Sequence, residues 1–374
     1  MKLNEICEVY SGYAIKEFNN IKKGLPVIKI GNILTDGTLN LGECQFSTED
    51  INEKYHSKKG DIYVALSGAT TGKLGIMEDE KKYIINQRVG IIRLKQKSVS
   101  QSYIKFFLLK QTERIIDEAT GCAQPNISPK QIGEYDVPVF PEKEMLQISD
   151  ILNNIVCVIK HYKAMIKKYD DLIKARFIEM FGRPFINNLK WESKQIKNVV
   201  NEVKYGTSKP SVENGEYKYL RMNNLTYDGR FDLTDLKFIS LDNDELEKCV
   251  VRKGDVLFNR TNSLDLIGKT ADFDFDEDMV IAGYIIRIRL KETIVPKFFS
   301  MYMNTDEVKL HLRTIAKGAV NQANINAQEL QGIPIYIPPI ELQKQFADFV
   351  RQVDKSRFDI KKSITEIERE VVYD

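Results

Sequence analysis

The sequence has few of the residues that support metal or acid–base chemistry. It contains three histidines, His56, His161 and His311, and no two of them have metal-ligand spacing. The motifs GxSxG and HExxH are absent, and no acidic run has the spacing of a calcium loop. The sequence therefore gives little support for a zinc site or for a histidine that acts as a general base.

Disulfide frameworks and membrane spans are equally unsupported. The five cysteines form no CxxC pair, and their odd number fits reduced thiols that pack in the core. No apolar run approaches the roughly 18 residues of a membrane span, and the N-terminus lacks a secretory-signal pattern. We expect a cytoplasmic protein with no membrane partner. The cysteines are Cys7, Cys44, Cys122, Cys157 and Cys249.

Charge of either sign is not in excess. The formal net charge is +2, and the chain is 43% hydrophobic and 29% charged, which is typical of a folded globular protein. Its 374 residues are enough for two domains, each with its own core. Any binding of nucleic acid must come from local basic surfaces, because most non-specific affinity is phosphate neutralisation.

A stretch without proline or internal glycine stands out at residues 142–182. Apolar residues recur there at alternating spacings of three and four, from Met145 to Ile173, which predicts a coiled-coil helix. A second run from Phe346 to Val371 keeps this spacing, with Arg357 as its polar interruption. The chain therefore supplies its own partner helix.

The two runs superimpose when one is shifted by 198 residues, and other blocks repeat in the same order. The protein is therefore a tandem duplication of about half its length, much longer than solenoid units of roughly 20 to 50 residues. The matched blocks are residues 8–12 with 202–206, 28–37 with 220–229, 58–67 with 252–261, and 124–128 with 322–326.

Both halves predict the same order of elements, so the fold class is α+β with β-rich cores. Short runs rich in Val, Ile and Tyr, separated by Asp-Gly and Lys-Gly turns, predict strands of a curved sheet. A helical stretch follows, and a proline-bounded segment then leads into a long helix. The predicted domains are residues 1–141, a central helix at 142–185, residues 186–338 and a distal helix at 339–374.

One segment resembles a phosphate-binding loop. SLDLIGKT, residues 263–270, has serine in place of the first glycine, which normally allows the tight turn around the phosphates. Its repeat counterpart has Gly68 three residues before Gly72 rather than four, and Leu74 where a magnesium ligand is required. The sequence therefore favours two equivalent polar loops over a nucleotide site.

Those loops carry the side chains best suited to contact DNA. Their framework positions agree between the halves while the intervening side chains differ, as expected if each half reads its own sequence. Arg, Lys and Asn suit base edges, and Ser and Thr suit phosphates or bases. From the composition of these loops alone, a solvated turn would be favoured, and the difference between the halves shifts the balance towards DNA contact. The loop candidates are Ser67, Thr70, Thr71 and Lys73 in the first half, and Asn259, Arg260, Thr261, Asn262 and Lys269 in the second. Candidates outside these loops are Lys29, Asn32 and Arg88 in the first half, and Arg221 and Asn224 in the second.

Weaker candidates and their alternatives remain open. For Lys29 and Arg221, outward alternation from a strand is an equally good reading. The amides of the later polar loops are at least as well explained as turn caps. The additional candidates are Arg93, Asn223, Arg287 and Arg289 near strands, and Gln124, Asn126, Gln322 and Asn324 in the later polar loops.

Three features occur together in this chain: the repeated domains, the Gly-Asp-Ile and Gly-Asp-Val blocks, and the helix start Pro-Pro-Ile-Glu-Leu-Gln at residues 338–343. With these features the chain resembles the specificity subunit of a type I restriction-modification system. The resemblance covers the whole chain. It implies two target recognition domains for double-stranded DNA, separated by two long helices that form an antiparallel coiled coil. It also implies no active site in this chain.

The same resemblance implies partners and their cofactors. Two methyltransferase subunits are expected to dock on the helices, and restriction and translocase subunits to join through the complex. S-adenosylmethionine, ATP and Mg²⁺ are expected on those partners and none on this chain.

The length of the helices suggests that they set the distance between the two DNA-recognition domains. A 40-residue helix is about 60 Å long, enough to hold two DNA readers one to two turns apart at roughly 34 Å per turn. By the 198-residue shift, Gly182 corresponds to position 380, so the second helix is expected to be shorter than the first. Two alternatives are a coiled-coil adaptor without DNA specificity and a nucleic-acid enzyme that uses the phosphate-loop-like segment.

Overall fold

In the computed structural model, residues 1–95, 99–119 and 125–373 are described, with side chains up to residue 370. They form two compact units. Unit 1 comprises residues 1–163 together with 362–374, and unit 2 comprises residues 164–361. The α+β prediction is confirmed, since helices and sheets are mixed in both units.

Unit 1 is built on an antiparallel four-stranded sheet and a three-stranded sheet. The central strands are apolar on both faces because helices and loops cover them, and Tyr63 and Ile91 are fully buried. In spatial order, the larger sheet contains Cys7–Ser11, Val89–Leu94, Ile62–Ala65 and Leu74–Ile76, and the smaller one contains Gln45–Ser47, Leu25–Ile28 and Ile84–Ile85.

Two helices of unit 1 begin at serine residues whose side chains cap them. Ser100 accepts a hydrogen bond from the amide of Tyr103, and Ser128 accepts one from Gln131, so each satisfies an otherwise unpaired N–H. These helices pack on the sheet with Ile104 and Leu108 buried. The helices are Leu3–Ile6, Gln101–Lys110, Thr112–Ala119 and Pro129–Gly133, with short 3-10 turns at Ile30–Asn32, Leu41–Glu43 and Glu53–Tyr55.

Unit 2 repeats this plan with additional strands. The four-stranded sheets contain Thr270–Asp272, Val256–Asn259, Ile285–Leu290 and Val200–Tyr205, and Lys237–Ile239, Tyr217–Leu220, Met279–Ile281 and Val250–Val251. Smaller sheets contain Thr261–Asn262, Gln322–Asn324 and Lys317–Ala319, and Pro334–Ile337 with Glu192–Gln195. The helices are Asn243–Cys249, Pro296–Met303, Asp306–Ile315 and Ala327–Gln331, with 3-10 turns at Ile196–Asn198 and Met222–Asn224.

The repeated Lys-Gly-Asp block forms an equivalent ion pair with an arginine in both units. Asp61 accepts two hydrogen bonds from Arg93, each at 2.7 Å, and the Asp61 side chain is 1% exposed. In unit 2, Asp255 accepts from Arg289 at 3.1 Å. Each aspartate also accepts an amide hydrogen three residues before it, so the block holds a turn at the edge of the sheet.

The structure contains two long helices, Glu142–Phe181 and Ile340–Tyr373, in the two segments of the chain where the repeat predicts a helix. Within unit 2 they run in opposite directions: Arg357 lies 2.7 Å from Asp170, whereas Phe346, earlier in the second helix, packs on Phe177, later in the first. Within unit 1, Lys163 pairs with Glu368 at 2.9 Å.

Arg357 is the polar interruption noted in the second heptad run, and it lies in an ionic cluster. Its side chain is 9% exposed and also lies 3.3 Å from Asp354. Arg230, from the repeated Asp-Gly turn, reaches Asp170 at 2.7 Å. Burial raises the pKa of Asp170 and Asp354 despite the charge of Arg230, which lowers it.

Cysteine chemistry and membrane insertion have little support in the part of the chain that is described. The four cysteines there are free thiols, while Cys122 lies outside the described residues. Burial raises the pKa of the Cys7 thiol to about 12, which makes it an inert core residue. None of the described helices combines the length and apolarity required to cross a bilayer.

Candidate nucleic-acid interface

The two polar loops sit in the same backbone frame. In unit 1, the amide of Leu66 donates to the carbonyl of Arg88 at 2.9 Å, and the carbonyl of Leu66 accepts from Ile127 at 2.9 Å. The next residue, Ser67, bridges to Asn126 in antiparallel fashion. The loop that follows the strand is therefore tied to the later polar loop.

Unit 2 has the equivalent bonds around different side chains. The amide of Arg260 donates to Tyr284 at 2.9 Å, and its carbonyl accepts from Ile325 at 2.9 Å. Thr261 then pairs with Asn324, as Ser67 pairs with Asn126. The sequence analysis identified the first polar loop and the later polar loop of each half separately. In each unit, the fold pairs these two loops with each other.

The first-half loop is a tight turn with polar side chains. Thr71 donates to the carbonyl of Gly68 at 2.6 Å, and Gly68 has a φ of +81°, a conformation that favours glycine. The buried hydroxyl oxygens of Ser67 and Thr70 have no hydrogen-bond partner among the described residues. Lys73 is half-buried and closes the turn.

Arg88 and Lys29 differ in how freely they present charge. Arg88 is exposed beside the loop frame. Lys29 donates to Gln45 and lies 3.5 Å from the ring centroid of Phe18, and burial lowers its pKa. Of the two, Arg88 is the better placed to meet a phosphate.

The side chains of the asparagines in the repeated turn form hydrogen bonds with backbone groups of the same turn. Asn32 accepts from the amide of Lys29 at 2.8 Å and donates to Asn40 at 3.0 Å. Asn224 accepts from Arg221 at 2.9 Å and donates to Asp232 at 2.9 Å. Both side chains are buried and occupied, so this geometry does not support the prediction that they read bases.

Asn259 and Asn262 also brace their loop. Asn259 is fully buried and donates to the carbonyls of Thr261 and Tyr284 at 3.1 and 3.0 Å. It accepts from Asn262 at 2.8 Å. Asn259 therefore shapes the loop from inside, whereas Asn262 and Thr261 remain partly exposed.

Arg260 is presented over an aromatic ring. Its guanidinium carbon lies 4.7 Å from the ring centroid of Tyr205, which restricts its orientation without neutralising the charge. Tyr284, whose carbonyl accepts from Arg260, is itself 52% exposed. The sequence analysis did not identify either tyrosine, although Tyr205 ends the strand Val200–Tyr205 and Tyr284 directly precedes the strand Ile285–Leu290.

In a basic cluster near the second-half loop, the predicted Lys269 lies close to Lys309 and Arg313, two residues that the sequence analysis did not identify. Lys269 donates to the carbonyl of Met222 at 3.3 Å, and Lys309 donates to Gly268 at 2.7 Å. Burial, followed by the charges of Lys269 and Arg313, lowers the pKa of Lys309 to about 7. The signal was the spacing of Lys309 and Arg313, four residues apart on one helix.

The guanidinium of Arg221 is engaged in hydrogen bonds within the protein. It donates to the carboxylate of Asp235 at 2.7 Å and to the Asp235 carbonyl at 2.9 Å. Its side chain is 28% exposed, so one face remains accessible.

The arginines on the final strands are structural. Arg287 is fully buried and pairs with Glu202 at 2.5 Å, while Arg93 and Arg289 bind Asp61 and Asp255. This burial does not support the prediction that Arg287 contacts DNA, because a strand buried on both faces leaves no outward side. Gln124 lies outside the described residues.

The phosphate-loop-like segment does not have a phosphate-loop fold. After Lys269 the chain enters the strand Thr270–Asp272, whereas a phosphate loop requires a helix whose N-terminus faces the anion. Lys269 is also engaged with Met222. The geometry therefore disfavours the nucleotide-binding alternative.

Solved structures share this fold. A type I restriction-modification S subunit from M. genitalium matches 99% of this chain and 93% of its own, with 15% identity and a TM-score of 0.53. A chain from a study of complex assembly and conformational transition of the type I R-M system has the same identity and coverage, and a TM-score of 0.60.

Sequence comparison gives the same family. The EcoKI specificity subunit of Escherichia coli K12 is 21% identical over 353 residues, covering 88% of this chain and 75% of the relative. The EcoBI specificity subunit of Escherichia coli is 21% identical over 396 residues, covering 97% and 81%. The model of the type I restriction modification DNA specificity domain matches residues 1–168 and 188–369, so the chain belongs to this family.

Proposed function

We propose that this chain is the DNA-recognition subunit of a type I restriction-modification complex, in which each unit reads one part of a split duplex target. The observation that carries the proposal is the pair of equivalent loop frames. Leu66 and Arg260 make the same two backbone hydrogen bonds, yet the exposed groups around them differ. A duplicated scaffold with different side chains suits two different half-sites.

Contacts of two kinds follow from this arrangement. Arg88 and Lys73 in unit 1 supply charge for phosphates, which position a protein without reading sequence. Arg260 and Tyr284 are suited to bases, because a guanidinium can bind guanine bidentately and a ring can stack. The amides of Asn32, Asn224 and Asn259 maintain the loop shape.

The two long helices form an antiparallel coiled coil in this proposal. Supporting contacts are Arg357 with Asp170, and Phe346 with Phe177. The helix length sets the distance between half-sites, so two weak contacts become one strong bipartite contact. Exposed apolar residues such as Met165 and Leu172 are candidate docking positions for two methyltransferase subunits.

In this proposal the partner subunits carry out the catalytic reactions. The methyltransferase subunits use S-adenosylmethionine to modify adenine, and restriction subunits use ATP and Mg²⁺ for translocation and cleavage. This chain contributes recognition, spacing and docking. An adaptor without DNA specificity is the alternative, and it gives no reason for two equivalent frames with different polar side chains.

A domain exchange tests modular reading. Residues 1–141 are replaced by the matching segment of a family member with a different target, and modified adenines are mapped in cells that contain the partner subunits. One half of the methylated motif should change and the other half stay. A matched exchange of residues 186–338 should give the reciprocal result, and a change in both halves from either exchange contradicts the proposal.

A further inference from the structure

A short β-hairpin lies beside the candidate loop of unit 2. Its strands are Lys317–Ala319 and Gln322–Asn324, which pair in antiparallel register. Val320 and Asn321 form the two-residue turn between them, which we call the hairpin tip. The strand Thr261–Asn262 of the candidate loop pairs with the other side of Gln322–Asn324. The hairpin therefore shares one sheet with two of the residues predicted to contact DNA.

The hairpin is anchored at its base and at its tip. At the base, the amine of Lys317 lies 2.6 Å from the carboxylate of Glu329. At the tip, the amide of Leu264 donates a hydrogen bond to the carbonyl of Val320 at 2.8 Å. The backbone of the tip is therefore fixed to the candidate loop.

The tip presents an apolar side chain to solvent. Val320 is 69% exposed, whereas Ala323, in the second strand of the hairpin, is 2% exposed. Asn321, next to Val320, is also exposed. Asp265 follows Leu264 in the chain and is exposed, which disfavours a phosphate contact at this tip. The tip is therefore better suited to an uncharged surface, such as the edge of a base.

The two halves of the sequence agree beside the tip and differ at the tip itself. The 198-residue shift places residues 322–325, QANI, opposite residues 124–127, QPNI. The same shift places residues 320–321, VN, opposite residues 122–123, CA. A change of side chains at one point of a repeated segment is expected of an element that reads a different sequence in each half.

We propose that the hairpin tip enters the major groove of the half-site read by unit 2, where Val320 contacts the C5-methyl group of a thymine. The major groove admits a two-stranded β-ribbon, and the thymine methyl is an apolar group displayed there. Val320 supplies the matching apolar surface, and its anchored backbone orients that surface. The contact favours a thymine over cytosine at this position. This inference rests on the proposed function.

Deoxyuridine lacks the C5-methyl group of thymidine, so it removes this one contact from the DNA. In the duplex found by methylation mapping, each thymine of the unit 2 half-site is replaced in turn, on either strand. Competition binding to the assembled complex is then measured for wild type and for Val320→Ala. Wild type should lose about fourfold in affinity at one thymine, and Val320→Ala should show no further loss there, because the methyl group has lost its partner.

Val212→Ala is the matched control. Val212 is a valine of the same unit that is 46% exposed and lies outside the hairpin, where it bridges to Phe238. This variant should keep the wild-type loss of affinity for the deoxyuridine duplex. A loss that disappears in both variants would contradict a specific contact by Val320. Circular dichroism checks that both variants keep the wild-type fold.

Three further results would overturn the inference and leave the proposed function intact, because the split target is still bound in each. They are an equal deoxyuridine effect in wild type and Val320→Ala, equal binding of every substituted duplex by wild type, and a unit 2 half-site without an A·T pair. A wild-type complex that does not prefer the split target would overturn the proposed function and this inference with it.

Discussion

The amide of Arg260 donates a hydrogen bond to the carbonyl of Tyr284 at 2.9 Å, which joins the backbone of an arginine to that of an exposed tyrosine. Leu66 makes the same bond to Arg88 in unit 1. The backbone frame is therefore common to both units, whereas the groups that it displays are particular to each. This pairing is the basis of the first prediction.

Arg260→Ala should relax the target at one base position of one half-site. Loss of a bidentate contact costs about 1–3 kcal/mol, which corresponds to roughly 5- to 150-fold in affinity for the preferred base. Competition binding of the assembled complex to duplexes that vary at each position measures this. Tyr284→Ala should weaken binding with less change in base preference.

Arg252→Ala is the matched control for that prediction. Arg252 is a surface arginine of the same unit, but it is paired with Glu247 at 2.8 Å and Asp278 at 3.2 Å. Its removal should leave the target preference unchanged. Equal loss of selectivity in both variants would contradict the assignment of Arg260.

Asp61→Asn should destabilise unit 1 strongly. The carboxylate is 1% exposed and neutralises Arg93, so its removal leaves a buried positive charge at a cost of about 3–5 kcal/mol. Guanidinium unfolding measures the loss as a lower midpoint. Glu80→Gln removes the exposed pair with Lys59 and should cost about 0–1 kcal/mol. Similar losses in the two variants would refute a framework role for the Asp61–Arg93 pair.

Lys309 should make stability rise with pH. Its folded pKa is about 7 and lies below its ordinary value of 10.5, so the unfolded state binds more protons between these values. Stability should rise by about 1–2 kcal/mol between pH 7 and 8.5, and this gain should disappear in Lys309→Met.

Lys253→Met serves as the control for this pH effect. A hydrogen bond from Lys253 to Asp276 raises the pKa of the lysine, so it stays charged in both states across this pH range. Its removal should keep the wild-type slope. An unchanged slope in Lys309→Met would mean that the buried amine does not titrate in this range.

Helix length should set the target spacer. Inserting seven residues after Lys168 and seven after Asp359 keeps the heptad phase and lengthens the pair by about 10 Å. The recognised gap should grow by about three base pairs, at 3.4 Å each. Mapping of methylated adenines gives the gap directly, and an unchanged gap would argue against a ruler.

Much of the fold followed from the sequence because its signals are periodic. Runs rich in Val, Ile and Tyr predicted strands, and the structure has strands in such runs at Leu25–Ile28 and Val89–Leu94. The interface was harder to predict, because composition does not tell an arginine that binds DNA from one that binds a carboxylate. Arg287 and Arg260 look alike in sequence, yet one is fully buried against Glu202 and the other lies over Tyr205.

Long-range pairing explains the remaining differences. The partners of Asn224 and Asn259 are backbone carbonyls up to 25 residues away, which no local pattern reveals. Lys309 lies 41 residues from its acceptor Gly268, and only the packed helix brings the two together. Such contacts depend on the tertiary structure.

The most direct test of the account is a genome-wide map of methylated adenines in cells that contain the partner subunits, with and without this gene. The account predicts a bipartite motif of two specific parts and a fixed gap, present with the gene and absent without it. Identical methylation in both strains, or loss of a single continuous motif, would contradict the claim that this chain reads a split target.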